Sequence, residues 1–220
     1  GGVAGPADRA GRLDVVMEAW RALAASRGGP VEQPEWAAAC LDAAPRESAL
    51  RVVAVRRAGA LVGIAPMVSQ AVNGIRRTAM LGVEAQHEPM DLTACDRAAL
   101  QELARTLARD RRPSLFGRLP ACSPAIPALR QAFRHRAVVV ERDRAPFPYI
   151  ALDQGWREPE RHLSARRASD LRRAERRAER LGRVGVEVFR PASGEVDALL
   201  DEALAIEFRS WKGAAGTAMA

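Results

Sequence analysis

Apolar positions change their spacing several times along the chain, and each spacing predicts an element. Leu13, Val16, Met17, Trp20, Leu23 and Ala24 recur at i, i+3, i+4, i+7, the rhythm of a helix that buries one face. Residues 27–30 break it, and Pro34 suits the first turn of a shorter helix through Trp36 and Cys40. Two nearly continuous apolar runs follow, 50–56 and 60–68, rich in Val and Ile and parted by Arg57-Ala58-Gly59. They predict a β-hairpin. Asn73-Gly74 is the strongest turn signal and leads into a third strand over 75–81.

A polar loop over 82–89 and a short apolar stretch over 90–93 come next. Asp96 reads as the N-cap of a helix with Leu100, Leu103, Ala104 and Leu107 along one side. Residues 114–119 predict a short strand, Ser123-Pro124 opens a helix through Phe133, and 137–140 and 148–152 predict two more strands. Strands in sequence followed by alternating units predict a mixed α/β (α+β) fold, a central mixed sheet with helices on both faces.

After Trp156 the pattern changes. In 161–182, RHLSARRASDLRRAERRAERLG, a narrow stripe of Ala168, Leu171, Ala174, Ala178 and Leu181 predicts a helix with Ser164 as N-cap and Gly182 as its C′ stop. A strand over 184–189 and a helix over 195–209 then predict the opening of a second unit. The chain therefore reads as a first domain (1–155), a basic helical connector (156–183) and the beginning of a second domain (184–220). With no leading Met and no closing element, it reads as a piece cut at both ends.

Charge sharpens this picture. The 220 residues carry a formal charge of +7, and nine arginines between 161 and 183 face only Asp170, Glu175 and Glu179, so most of the excess sits on one helix. The bland reading is a solvated face laced by Arg172/Glu175 and Arg176/Glu179 pairs. The sharper one is an anion-facing connector, in which Arg166 with Arg167, and Arg172 with Arg173, grip a phosphate or carboxylate bidentately. Nucleic-acid binding ranks last, because aromatic side chains for base stacking are not interleaved with these arginines. Lys212, the one lysine, implies a place where a compact ammonium fits and a guanidinium does not.

Cys40, Cys95 and Cys122 match neither a disulfide framework nor metal-ligand spacing, and His135 and His162 have no partner at such spacing, so no metal is expected. No apolar run reaches the ~18 residues of a membrane span, and cytoplasmic residence is expected.

Several strings resemble the GNAT acyltransferase superfamily, and within it the CelD/BcsL-type acetyltransferases of bacterial cellulose synthesis, relatives of the FemAB peptidyltransferases. They are Gly59-Ala-Leu-Val-Gly63-Ile-Ala-Pro66, Leu81-Gly82 with Asp91-Leu92, Leu119-Pro120 with Ser123-Pro124, Pro148-Tyr149-Ile150, and 163–173. Glu207 with Trp211-Lys212-Gly213 and Gly216-Thr217-Ala218 resembles the family's most recognisable string. The resemblance implies two GNAT-like units in tandem and acyl transfer from acetyl-CoA or another acyl-CoA to an amine acceptor. The usual pyrophosphate cradle is Gln or Arg followed by glycines at a helix N-terminus. Here the matching loop, 82–89, holds one glycine and two acids, which would repel a pyrophosphate and places the acyl-CoA mainly in the missing part of the second unit.

His87, Glu88 and Asp91 form the acid/base set of that unit, with His87 or Glu88 as the base for the amine; the alternative is a polar surface loop. Trp211, Lys212, Gly213 and Thr217 either line a substrate groove or form a helix end. Tyr149, the sole tyrosine, is either a general acid or a packed strand residue. A GNAT-like scaffold without catalysis remains the competing function, and the sequence leaves the oligomeric state open.

Overall fold

The computed structural model describes residues 16–25, 29–45, 48–83 and 88–219. The chain divides into two compact units, Gly1–Pro148 and Tyr149–Ala220.

The first unit is a mixed sheet between two pairs of helices. Helix α1 is described over 16–24 and α2 runs Pro34–Asp42, with Pro34 at its first turn. Strands β1 (Ala49–Arg57), β2 (Ala60–Val72) and β3 (Ile75–Met80) form an antiparallel meander. Both of its turns place two successive residues at positive φ, Ala58 with Gly59 and Asn73 with Gly74. That twist joins antiparallel strands through only two residues.

Val55 pairs with Gly63 but Arg56 with Leu61, so Val62 is the extra residue of a bulge. The bulge changes which face each β2 side chain takes: Leu61, Ile64 and Val68 join the core under α1 and α2, while Val62, Ala65 and Met67 join the core on the opposite face. With both faces buried, β2 reads as a continuous apolar run rather than an alternation.

Beyond β3, the far edge of β2 pairs with β4 (Thr93–Ala94). Pro66 lies where β2 passes from one partner to the other, and its carbonyl accepts from Leu81 N–H at 3.0 Å. Its missing donor falls where no ladder bond is required. Helix α3 (Arg97–Leu107) follows, capped by Asp96, whose carboxylate accepts from Ala99 N–H at 2.7 Å. Strand β5 (Ser114–Leu115) then pairs parallel to β3, Thr78 opposite Ser114, and α4 (Ala125–Phe133) completes the layer. Leu100, Leu103, Ala104 and Leu107 of α3 and Ala128, Leu129 and Phe133 of α4 fill the core on that face, and Trp20, Leu23, Cys40 and Leu41 fill the other.

Three expected strands do not form. Residues 137–140 and 148–152 run without secondary structure, and so do 184–189 in the second unit. A strand needs a neighbouring edge, and β5 offers only two residues of pairing before Phe116 turns away to meet the Phe133 ring edge-on at 5.9 Å. Residues after α4 are held by side chains instead: the Arg130 guanidinium binds the Glu141 carboxylate through two bonds of 2.8 and 2.7 Å. The strand expected over 114–119 shortens for the same reason, and the apolar stretch at 90–93 contributes only Thr93 to β4.

The second unit is a string of locally capped pieces. Asp153 caps a 3-10 turn over Gln154–Arg157, accepting from Gly155 N–H at 2.8 Å, and a second such turn spans Pro159–His162. Trp156 and His162 stack across them, ring centres 4.1 Å apart. Helix α5 (Ala165–Glu179) starts at Ser164, whose hydroxyl accepts from Arg167 N–H at 3.3 Å. Its end is Arg180 in right-handed geometry, so Gly182 is not the C′ stop expected of it. Arg173 pairs with Asp170 on this helix, in place of the pairs expected at Arg172/Glu175 and Arg176/Glu179. Helix α6 (Val196–Arg209) and the single turn α7 (Trp211–Ala214) follow. No described residue of this unit is buried.

Candidate functional site

The loop after β3 is the first candidate. Gly82 turns there at φ +83°, and a Cβ at that position would stand 2.5 Å from the Cys40 sulfur. Its glycine is therefore set by close packing on α2. Cys40 itself is buried, which raises its thiol pKa. His87 lies outside the described residues. Glu88 is exposed, and Asp91 is half-buried. One Asp91 oxygen accepts from Leu92 N–H at 2.7 Å and from the Ser123 hydroxyl at 2.8 Å, and that hydroxyl accepts from Ala125 N–H at 3.0 Å. Asp91 thus staples this loop to the first turn of α4, and of the described pair Glu88 is the carboxylate left open to a substrate.

The second candidate is the turn between α6 and α7. Glu207 accepts from the Lys212 ammonium through one oxygen and from Met219 N–H at 3.0 Å through the other. These two bonds, the ammonium's first, hold the Glu207 carboxyl below the usual carboxylate range. Ser210 caps the turn, donating to the Glu207 carbonyl at 2.6 Å and accepting from Lys212 N–H at 3.2 Å, while Thr217 N–H returns to the Lys212 carbonyl at 2.8 Å. A Cβ on Gly213 would stand 1.7 Å from the Phe208 carbonyl oxygen, so only glycine permits the approach.

Lys212, Gly213 and Thr217 are therefore parts of one closed turn. A flexible stem with a point charge reaches a carboxylate five residues back, which explains the lone lysine in an arginine-rich chain. Trp211 projects from the turn, 74% exposed.

The third candidate is α5. Arg166, Arg167, Arg172 and Arg173 are all exposed. Consecutive residues on a helix point about 100° apart, so Arg166/Arg167 and Arg172/Arg173 do not form the side-by-side grips expected of them. Partners at i+4 and i+7 face the same way instead, and Arg173, Arg176 and Arg180 line one shallow trough with Glu179.

Tyr149 is 88% exposed and on no strand, so it is not the packed residue that was one of its two readings. His162 is held by the Trp156 ring and the Gly155 carbonyl, 2.8 Å from its Nε2.

Sequence reasoning missed one polar cluster. Ser69, Thr78 and Ser114 form a row across β2, β3 and β5. Asp110, just past α3, accepts from Thr78 at 3.3 Å and from Arg51 of β1, and Arg112 donates to Ser69 at 3.3 Å. The partners lie up to 59 positions apart, so no local pattern announces them. The cavity beside them measures about 10 Å³. That is room for about one water and far below the ~300 Å³ of a small-molecule site.

Among the described residues no three His, Cys, Asp or Glu side chains converge as metal ligands, and no helix is long and apolar enough to cross a membrane. Comparison with protein-family models, curated proteins and solved structures finds no match.

Proposed function

We propose that the chain is part of a GNAT-type N-acyltransferase, which moves an acyl group from acetyl-CoA or another acyl-CoA to an amine on an exopolysaccharide-linked or cell-envelope acceptor. The observation that supports this reading is the mixed sheet: three antiparallel strands, the short β4, a helix, then a strand returning parallel at Thr78 and Ser114, with helices on both faces. In such a reaction the amine nitrogen bonds to the acyl carbon, the thioester C–S bond breaks to release the thiolate, and a base removes the amine proton. Glu88, exposed and without a described partner, suits that base better than Asp91, whose carboxylate is committed to Leu92 and Ser123.

The donor phosphates are assigned to the second unit. Gly82 is packed on Cys40 rather than turned toward a ligand, whereas α5 carries exposed guanidinium groups, with Arg173, Arg176 and Arg180 along one trough. Trp211 adds a flat apolar face beside the Lys212 turn.

A second reading, a GNAT-like scaffold without turnover, draws its support from the small cavity of the first unit. Thermal unfolding with and without acetyl-CoA separates the two. At a hundredfold excess over Kd, a donor site contributes about 2.7 kcal/mol, an upward shift of roughly 5–10 °C for a chain of this size. An unchanged transition at millimolar acetyl-CoA rejects donor binding by this chain and leaves the scaffold.

A further inference from the structure

The exposed charge of α5, on which the donor assignment above also draws, carries a second inference that does not require acyl transfer. At about 100° per residue, Arg166, Arg172, Arg173, Arg176, Arg177 and Arg180 fall within one arc of about 140°. No acid lies inside the arc, and Asp170 and Glu179 border it. All six are exposed, and among the described residues only Arg173 has an ion pair, with Asp170 at 2.7 Å. From Arg166 to Arg180 the helix advances about 21 Å, so the six guanidinium groups succeed one another at a mean of about 4.2 Å along the axis. A nucleic-acid strand carries one phosphate per about 3.4 Å of helix axis. The two spacings are of the same order, about 4.2 and about 3.4 Å.

We propose that this face of α5 binds the phosphate backbone of double-stranded nucleic acid without reading its sequence. The absence of interleaved aromatics, which counted against a nucleic-acid partner in the sequence, bears on the stacking of single-stranded bases and not on a duplex held by its phosphates. Three further observations select this partner. Guanidinium forks suit phosphate oxygens, which they grip in parallel pairs. Arg172, Arg176 and Arg180 succeed one another at i+4, forming a row about 12 Å long. The opposite stripe holds Leu171, Leu181 and three alanines and is interrupted by Arg167, too little apolar surface to seat the helix in a lipid interface.

The test is fluorescence anisotropy of the full chain with a labelled random-sequence duplex between 50 and 200 mM salt. Six phosphate contacts give a log–log slope of about −5, a roughly thousandfold loss of affinity across that range. Replacing Arg172, Arg176 and Arg180 together by Gln, which retains helix propensity, should halve that slope and leave a roughly fortyfold loss, with helicity by circular dichroism unchanged. A charge-matched control replaces Arg109, Arg134 and Arg136, exposed in the first unit, and should change the slope by less than one. The proposal is overturned by no binding at 50 mM salt, by equal effects of the two triple variants, or by binding to phosphatidylserine vesicles in preference to the duplex. The acetyl-CoA shift of the unsubstituted chain, measured without duplex, decides the acyltransferase reading separately.

Discussion

The two units are built from similar side chains and treat them in opposite ways. In the first, Ile64, Ala65, Leu103 and Ala104 are fully buried, because β2 has strands on both edges and helices on both faces. In the second, Val186, Val188, Leu200, Ile206 and Phe208 stand exposed, and the segment over 184–189 has no strand beside it. Apolar content alone does not make a core. Burial contributes about 1.5–3 kcal/mol for each large apolar side chain, and only where distant parts of the chain supply the opposing surface. What the second unit does have is local: Ser164, Asp153, Glu195 and Ser210 each satisfy backbone donors a few residues away.

The sharpest way to break that contrast is to cut matching holes. Ile64→Ala or Leu103→Ala should lower stability by about 2–5 kcal/mol in urea denaturation, while Val186→Ala or Phe208→Ala should change it by less than about 0.5 kcal/mol. Equal losses in both units would show that the second has a core of its own.

A smaller effect is expected at two glycines that meet similar obstacles. Gly82→Ala meets the Cys40 sulfur at positive φ and should cost about 1–3 kcal/mol of global stability. Gly213→Ala meets the Phe208 carbonyl, and should instead release amide-exchange protection over 207–219 with the main urea transition unmoved.

The smallest effect is in acid. Asp96 is held far below the usual carboxylate range, first by the Arg57 guanidinium at 2.9 Å and then by Ala99 N–H, and Glu207 is lowered by Lys212 and Met219. A depressed folded pKa gives stability that is complete above the unfolded value, near 4, and is lost as pH falls through the lower folded value. Urea titrations from pH 5 to 2 should therefore show a weaker acid dependence for Asp96→Asn. Glu207→Gln should flatten only the pH dependence of exchange at the C-terminal turn.

Much of the first unit was legible because its signals are short-ranged. Asn73-Gly74 announces its turn, Asp96 its helix, and Leu100, Leu103 and Leu107 the buried face of α3. The segments over 137–140, 148–152 and 184–189 were misread because β-propensity describes what suits a sheet and says nothing of whether an edge is present. At the candidate sites, the residues were easier to find than their duties. Asp91 looked like chemistry and is a staple, and Gly213, read as groove lining or a helix end, sits in the turn after α6 where its hydrogen lets the Phe208 carbonyl approach. The row of Ser69, Thr78 and Ser114 with Asp110 and Arg51 was invisible, since four strands and a helix end must first be brought together.

The bond between Glu207 and Lys212 also gives the experimenter a gauge. Because the chain has one lysine, an amine-directed label meets a single side-chain amine, and that amine is clasped whenever the C-terminal turn is closed. The rate at which it accepts the label measures how often the clasp opens, from a single peptide in a mass spectrum.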